Sequence, residues 1–339
     1  MLDRKLRVAI NGFGRIGRSV FKALLADQRV EVVAINDLTD NKTLAHLLQY
    51  DSCYGRYDKT VSVKDQHLIV DGQTYLALAE KDPTQLPWSS LGVDVVIEST
   101  GRFTKADEAK AHIIAGAKKV IISAPAKDET TKNIVLSVNE NDLLASDQII
   151  SMASCTTNCL APVTKVISDK IGIAKAVMST VHAYTADQNL VDGPHKDLRR
   201  ARSATMSIVP TTTGAAAAVA KTIPALSGCF DGSAFRVPTP VVSLCDVVFV
   251  TKRPVTVEEV NQLLTTAAEQ DKFGALTVTT EPLVSIDFTG NPASSIVDLS
   301  LTKVVGGDLL KIVAWYDNEW GYSHRLANLC AYIAENNLL

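Results

Sequence analysis

No apolar run in this chain is long enough to span a membrane. The longest candidate, Ala215–Ala220, stops at Lys221, far short of the ~18 residues a span needs. Positive charge is not in excess either: the net charge is −3 at pH 7. That excludes the strong basic surplus of a dedicated nucleic-acid binder, while leaving room for local basic pockets. Cysteine is sparse, six in 339 residues, and no two CxxC units pair up as a zinc site would require. No metal site is expected. The N-terminus passes from charged residues straight into Val8–Ile10 without the apolar stretch of a secretory signal. The thiols are therefore expected to be reduced and the protein cytoplasmic. Internal repeats, low-complexity linkers and long charge runs are absent as well.

What is present is an ordinary globular composition, 46% hydrophobic and 21% charged, with a length that suggests two domains. In the first half, short apolar runs alternate with helical patterns. Leu6–Ile10, Val30–Ile35, Val93–Ile97, Val120–Ile122, Ile134–Val138 and Ile149–Ile150 read as strands, and Arg15–Leu25 and Lys105–Ala115 as helices. This is the pattern of a doubly wound parallel sheet. Beyond residue 151 the strand-like runs lengthen: Val177–His182, Val241–Val250, Leu276–Thr280, Ile296–Leu301 and Leu309–Tyr316, with one clear helix over Val257–Gln270. They predict an α+β domain on a mostly antiparallel sheet. Leu326, Leu329, Cys330 and Ile333 have the spacing of one buried helical face. The expected organisation is an α/β chain: a Rossmann domain over 1–151, a catalytic domain over 152–318, and a C-terminal helix over 319–339 that packs back on the first domain.

Three chemical patterns stand on this frame. Gly12, Gly14 and Gly17 complete a G-x-G-x-x-G turn between the first strand and the first helix. The turn allows the chain to bend tightly, lets the backbone approach a pyrophosphate at the helix N-terminus, and permits close helix–strand packing. Asp37 follows Gly17 by twenty residues and ends the second strand, where a carboxylate bonds the adenosine ribose of NAD and repels the 2′-phosphate of NADP. Second, Ser154 suits a helix N-cap, which places Cys155 in the first turn. There the positive end of the helix favours a thiolate. Pro162 should remove one hydrogen bond from that helix. Cys159, one turn on, reads as a small buried residue, with a redox or metal role as the alternative. Of the six histidines, His182 ends a β-rich run beside polar residues and is a candidate base for the thiol, although spacing cannot decide between that and a structural role. Third, Arg236 has apolar flanks, Thr211–Gly214 offers hydroxyls and a flexible amide, and Arg199, Arg200 and Arg202 form a basic cluster. All are anion-binding candidates. The cluster equally fits a salt-bridged surface or a subunit interface.

Taken together, Asn11–Arg18, Ala34–Asp40, Ser154–Cys159, His182–Gln188, Thr211–Ala215, Arg236–Thr239 and Trp315–Arg325 resemble the phosphorylating glyceraldehyde-3-phosphate dehydrogenases, in order and along essentially the whole chain. The resemblance implies Cys155 as nucleophile and His182 as its acid/base partner. It implies NAD held by Arg15, Ile16, Asp37, Lys81, Ser123 and Asn318, the last near the nicotinamide carboxamide. Thr185 and Arg236, with Asp187, would line the substrate phosphate site. Ser154, Thr156, Thr213 and Gly214 would line the site of the attacking inorganic phosphate, with Arg200 nearby. It further implies a homotetramer whose active site is partly walled by the loop around 185–207. Gly193-Pro194 resembles the NAD-using glycolytic members. The competing reading is an erythrose-4-phosphate dehydrogenase, against which Thr211–Gly214 argues. A semialdehyde or acyl-phosphate reductase lacks the combined segments, and a non-catalytic binding protein would not need Cys155 and His182 intact. No membrane partner and no dedicated nucleic-acid site are expected.

Overall fold

The structure, a computed structural model, describes residues 4–339; residues 1–3 of the expected first domain lie outside the described residues. Two compact units emerge. One comprises residues 4–134, 141–153 and 323–339, the other 135–140 and 154–322.

The first unit is built on a nine-stranded sheet. Its order is Lys132–Asn133, Ile149–Ser151, Lys119–Ile122, Val95–Glu98, Leu6–Asn11, Val30–Asn36, Gln73–Leu78, His67–Val70 and Val61–Lys64. All neighbours are parallel up to Gln73–Leu78, after which the two edge strands run antiparallel. The central strands are apolar on both faces because helices cover both. Arg15–Leu25 buries Val20, Phe21 and Leu24. The strand order reverses at Leu6–Asn11, and a crevice opens there beyond the carboxyl ends of the strands, the usual place for a ligand in such sheets. A buried polar network underlies the crevice. Trp88 Nε1 donates to His112 Nδ1 at 3.0 Å, so His112 carries its proton on Nε2 and points it at Glu98, 3.1 Å away. Glu98 also accepts from Asn11 at 2.6 Å and from the Thr100 N–H at 2.8 Å. Since buried carboxylates need such donors, His112 is explained by structure.

The second unit carries an eight-stranded sheet. Its order is Val209–Thr211, Phe230–Val237, Ile173–Ala183, Ser243–Thr251, Leu309–Tyr316, Ser295–Asp298 and Leu276–Thr279, with Lys303–Val305 also paired to Leu309–Tyr316. Two of its pairs are parallel, Ile173–Ala183 with Phe230–Val237 and Leu276–Thr279 with Ser295–Asp298; the rest are antiparallel. The helix Cys155–Lys170 lies on this sheet and packs against the helix Ala215–Thr222.

Several elements depart from the sequence reading. Ile134–Val138 is a turn, not a strand: Ser137 takes a φ of 68°, although Ile134, Val135 and Leu136 are buried. Ile296–Leu301 is a strand only to Asp298 and then a 3₁₀ turn. The helix Cys155–Lys170 continues through Pro162. Among the described residues no helix is long and apolar enough to cross a membrane.

Candidate active site

Ser154 caps the helix Cys155–Lys170 as its sequence suggests, accepting the Thr157 N–H at 3.0 Å. The cap fixes where the helix begins and puts Cys155 at its first position. The His182 imidazole stands beneath, with Nε2 3.5 Å from the Cys155 sulfur. Its tautomer is set locally. The Ala183 carbonyl lies 2.7 Å from Nδ1 and can only accept, so Nδ1 carries the proton and the Nε2 lone pair faces the thiol. Tyr316, fully buried, packs edge-on against the imidazole with ring centroids 5.9 Å apart. Its hydroxyl lies 2.9 Å from both Thr156 and Thr180.

The parallel register pairs His182 with Arg236. Paired residues of a ladder project from the same face, which brings a guanidinium to the imidazole. Arg236 Nη1 donates to the Ala183 carbonyl and to the Thr185 hydroxyl, each at 3.1 Å. Its Nε is buried and has no partner, and among the described residues no carboxylate pairs with it. It is a partly buried cation outside any ion pair, and burial pulls its pKa below the usual arginine value, against a weaker opposing pull from the more distant Asp187.

Opposing effects act on the Cys155–His182 pair. Burial pushes the thiol up to about 11, while Arg236 and the Thr156 hydroxyl and N–H pull it back. Burial, then Arg236, push the imidazole down to about 3 against the Ala183 hydrogen bond. In the free protein these directions favour neutral thiol and neutral imidazole, with the S–H aimed at Nε2. The helix N-terminus works the other way. The thiolate that the helix start favours is thus the state that burial opposes.

The remaining anion candidates are less free. Arg200 pairs with Asp187 and also donates to Thr211 Oγ1 at 2.9 Å. Its charge is compensated, and Asp187 is engaged there. Thr213 and Gly214 form the N-terminus of Ala215–Thr222, the Thr213 hydroxyl accepting the Ala215 N–H at 3.2 Å. The Ser154 and Thr156 hydroxyls are engaged with Thr157 and Tyr316. Thus Cys155, His182, Arg236 and Thr185 form one connected cluster. No hydrogen bond among the described residues links Thr213 or Gly214 to it.

In the first unit a cavity of about 340 Å³ is lined by Gly12, Gly14, Asp37 and Lys81, together with Thr39, Thr100 and Phe103. The residues fit a dinucleotide. A Cβ on Gly17 would lie 2.0 Å from the Gly12 carbonyl oxygen, whereas one on Gly14 would meet nothing within 4 Å. One glycine allows the helix to pack and the other leaves the approach open. The helix Arg15–Leu25 has no side-chain cap and no acid in its first turn, so its positive end is available to an anion. Asp37 accepts from the Phe13 and Thr39 N–H groups at 2.7 and 2.9 Å, which holds its carboxylate in place. Arg15 pairs with Asp51 at 2.8 Å. Ile16 lies in the first turn of the helix, and Ser123 follows the strand Lys119–Ile122; neither lines the cavity.

Comparison with known proteins settles the family. The NAD-binding domain of glyceraldehyde 3-phosphate dehydrogenase matches residues 6–106, and the C-terminal domain of that enzyme matches residues 154–318. This chain belongs to the glyceraldehyde 3-phosphate dehydrogenase family. Similar relatives include the glyceraldehyde-3-phosphate dehydrogenase of Geobacillus stearothermophilus, 55% identical over 98% of this chain and 99% of that one. Glyceraldehyde-3-phosphate dehydrogenase 1 of Bacillus subtilis (strain 168) is 54% identical over the same shares. The Mycobacterium avium enzyme is 53% identical over 338 residues, 98% of this chain and 99% of its own.

Within this dehydrogenase fold, some site residues carried no signal in the sequence. Tyr316 ends a strand and reads as core. Ser243 opens a strand 60 residues from the Ala183 N–H it accepts. Thr39 and Phe103 reach the cavity of the first unit through the strand order. Only long-range pairing makes these residues neighbours.

Proposed function

We propose that this chain oxidises and phosphorylates D-glyceraldehyde 3-phosphate to 1,3-bisphosphoglycerate, using NAD and inorganic phosphate, through a thioester on Cys155. The observation that carries this reading is the cluster of a helix-N-terminal thiol, an imidazole with its lone pair on that thiol, and an uncompensated guanidinium in register with the imidazole. A thiol and base alone serve many reactions. The unpaired cation asks for an anionic substrate.

Cys155 Sγ attacks the aldehyde carbon as its proton passes to His182 Nε2, and Nε2 hands that proton on to the carbonyl oxygen, giving the thiohemiacetal and leaving the imidazole neutral again. The Cys155 N–H, at the start of its helix, is the oxyanion donor. Arg236 and Thr185 grip the remote phosphate and hold the aldehyde in register with the sulfur. His182 Nε2 then accepts the hydroxyl proton as the carbon is oxidised to the thioester. NAD, when bound, would supply the two-electron acceptor for that oxidation; Gly12, Gly14, Asp37 and Lys81, with Arg15, Ile16 and Ser123, would hold its adenosine and pyrophosphate portion, and Asn318 would meet its carboxamide. Inorganic phosphate, bound by Thr213 and Gly214 with Ser154, Thr156 and Arg200 close by, attacks the thioester carbon. The S–C bond breaks and the sulfur recovers its proton from His182.

We also infer that the chain works in the cytoplasm, where its six free thiols stay reduced, and that it is a homotetramer. Leu190, Val191, Leu198, Met206 and Ile208 are all exposed within one loop. Such apolar exposure is what a subunit interface would cover. The test of function is NADH formation from glyceraldehyde 3-phosphate with and without inorganic phosphate. Sustained turnover should require phosphate, and its omission should leave only an initial burst. A preference for erythrose 4-phosphate, or turnover indifferent to phosphate, overturns the reading.

A further inference from the structure

Ser243 opens the strand Ser243–Thr251 and is 2% exposed. Its hydroxyl accepts the Ala183 N–H at 3.0 Å and lies 3.0 Å from Asn318 Oδ1. A serine hydroxyl has one proton to give, and here that proton goes to Asn318. Were the amide turned over, Nδ2 would bring a second donor to Ser243 Oγ and leave the serine proton without an acceptor among the described residues. The amide is therefore fixed with Oδ1 toward Ser243 and Nδ2 turned away, where no acceptor among the described residues meets it. Ala183 joins this arrangement to the chemistry: its N–H goes to Ser243, and its carbonyl accepts from both His182 and Arg236. The backbone that presents Ser243 is itself unusual. Val242, buried and β-branched, takes a φ of 68°, a conformation that side chains of this kind resist and that persists where surrounding structure enforces it.

We propose that Ser243 is a positioning residue for cofactor binding: it locks the Asn318 amide so that Nδ2 is presented as a donor to the carbonyl oxygen of the nicotinamide carboxamide. This rests on the reading that Asn318 meets that group. The interaction needs only an acceptor on the cofactor. An analogue that keeps the carbonyl but lacks the amide nitrogen, such as the 3-acetylpyridine dinucleotide, should therefore bind like NAD.

The experiment compares the dissociation constants of NAD and of ADP-ribose, which lacks the nicotinamide, for wild type, Ser243→Ala, Asn318→Ala and the double variant. Ser243→Ala should weaken NAD about tenfold, as expected for losing one well-placed hydrogen bond, and leave ADP-ribose within about twofold. In the Asn318→Ala background it should have no further effect. Ser243→Cys keeps the side-chain shape but donates weakly; it should also weaken NAD selectively, and it serves if the alanine variant folds poorly. If Asn318→Ala does not weaken NAD relative to ADP-ribose, the underlying reading fails. If Asn318→Ala does so and neither Ser243 variant does, the lock fails while the reading stands. Equal weakening of NAD and ADP-ribose by both Ser243 variants would make Ser243 merely structural and overturn the proposal.

Discussion

Replacing Arg236 by leucine should remove activity toward the phosphorylated substrate without removing stability. The guanidinium is partly buried and donates only to two neutral oxygens, Ala183 O and Thr185 Oγ1 at 3.1 Å each, while its Nε has no partner. Taking a cation out of water without an ion-pair partner is unfavourable, so a leucine, shorter but apolar, should leave stability within about 1 kcal/mol. The Ala183 carbonyl keeps its bond from His182. The loss falls on the substrate. Two charge-assisted hydrogen bonds to a phosphate are worth about 1.5–3 kcal/mol each, so kcat/KM for glyceraldehyde 3-phosphate should drop by about 10²–10⁴. Unphosphorylated glyceraldehyde makes no such contact and should change by less than about tenfold by the same bookkeeping. The same substitution removes the positive field that helps hold His182 low, so the imidazole pKa should rise. The assay is steady-state NADH formation with both aldehydes, alongside thermal unfolding with and without inorganic phosphate. Equal losses for the two aldehydes, or a fall of several degrees in Tm, would refute the argument and make Arg236 a structural residue.

Cys155→Ser should abolish turnover yet keep NAD affinity, because an alkoxide is far harder to form than a thiolate; substantial residual turnover would remove Cys155 from the mechanism. The pH profile of iodoacetamide reaction with Cys155 should change in His182→Asn, and superposable profiles would show that the imidazole does not act on the thiol. His182 also couples to stability: its pKa in the fold is about 3 against an ordinary 6.5, so the unfolded chain takes up the proton first. Its contribution is full above pH 6.5 and is lost as pH falls toward 3. By pH 5 this amounts to about 2 kcal/mol, and His182→Asn should lose correspondingly less stability between pH 7 and 5. Asp37→Ala should weaken NAD and narrow its advantage over NADP, since it removes both the ribose partner and the charge that repels a 2′-phosphate; equal wild-type efficiency with the two cofactors would contradict the role.

Elements whose signal is local were legible in the sequence. The helices Arg15–Leu25 and Val257–Gln270 and the strand Leu309–Tyr316 have the bounds their periodicity predicts, and Ser154 caps the helix as its side chain permits. Other elements were not. The strand Phe230–Val237 contains Gly232, which weakens any strand pattern. Its reason is tertiary, since a Cβ there would lie 2.5 Å from the Met178 carbonyl oxygen. The helix Ala215–Thr222 follows three threonines and is apolar nearly all round, a run from which periodicity cannot separate helix from buried strand. The Ile134–Val138 run shows the converse: its first three residues are buried without joining the sheet.

The sequence by itself determined the two-part α/β organisation, the glycine turn with Asp37 beyond it, and a thiol at a helix start, because each is written in residues within about one element of one another. It also nominated Arg236, from its apolar flanks alone. Only the tertiary structure decided which histidine faces the sulfur and which arginine stays uncompensated. His182 meets Arg236 because two strands more than fifty residues apart pair in that register, while Arg200 is neutralised by Asp187 across a loop. Charge and spacing along the chain do not encode those meetings. They follow from strand order and register, which are fixed by burying the apolar faces of the whole sheet at once.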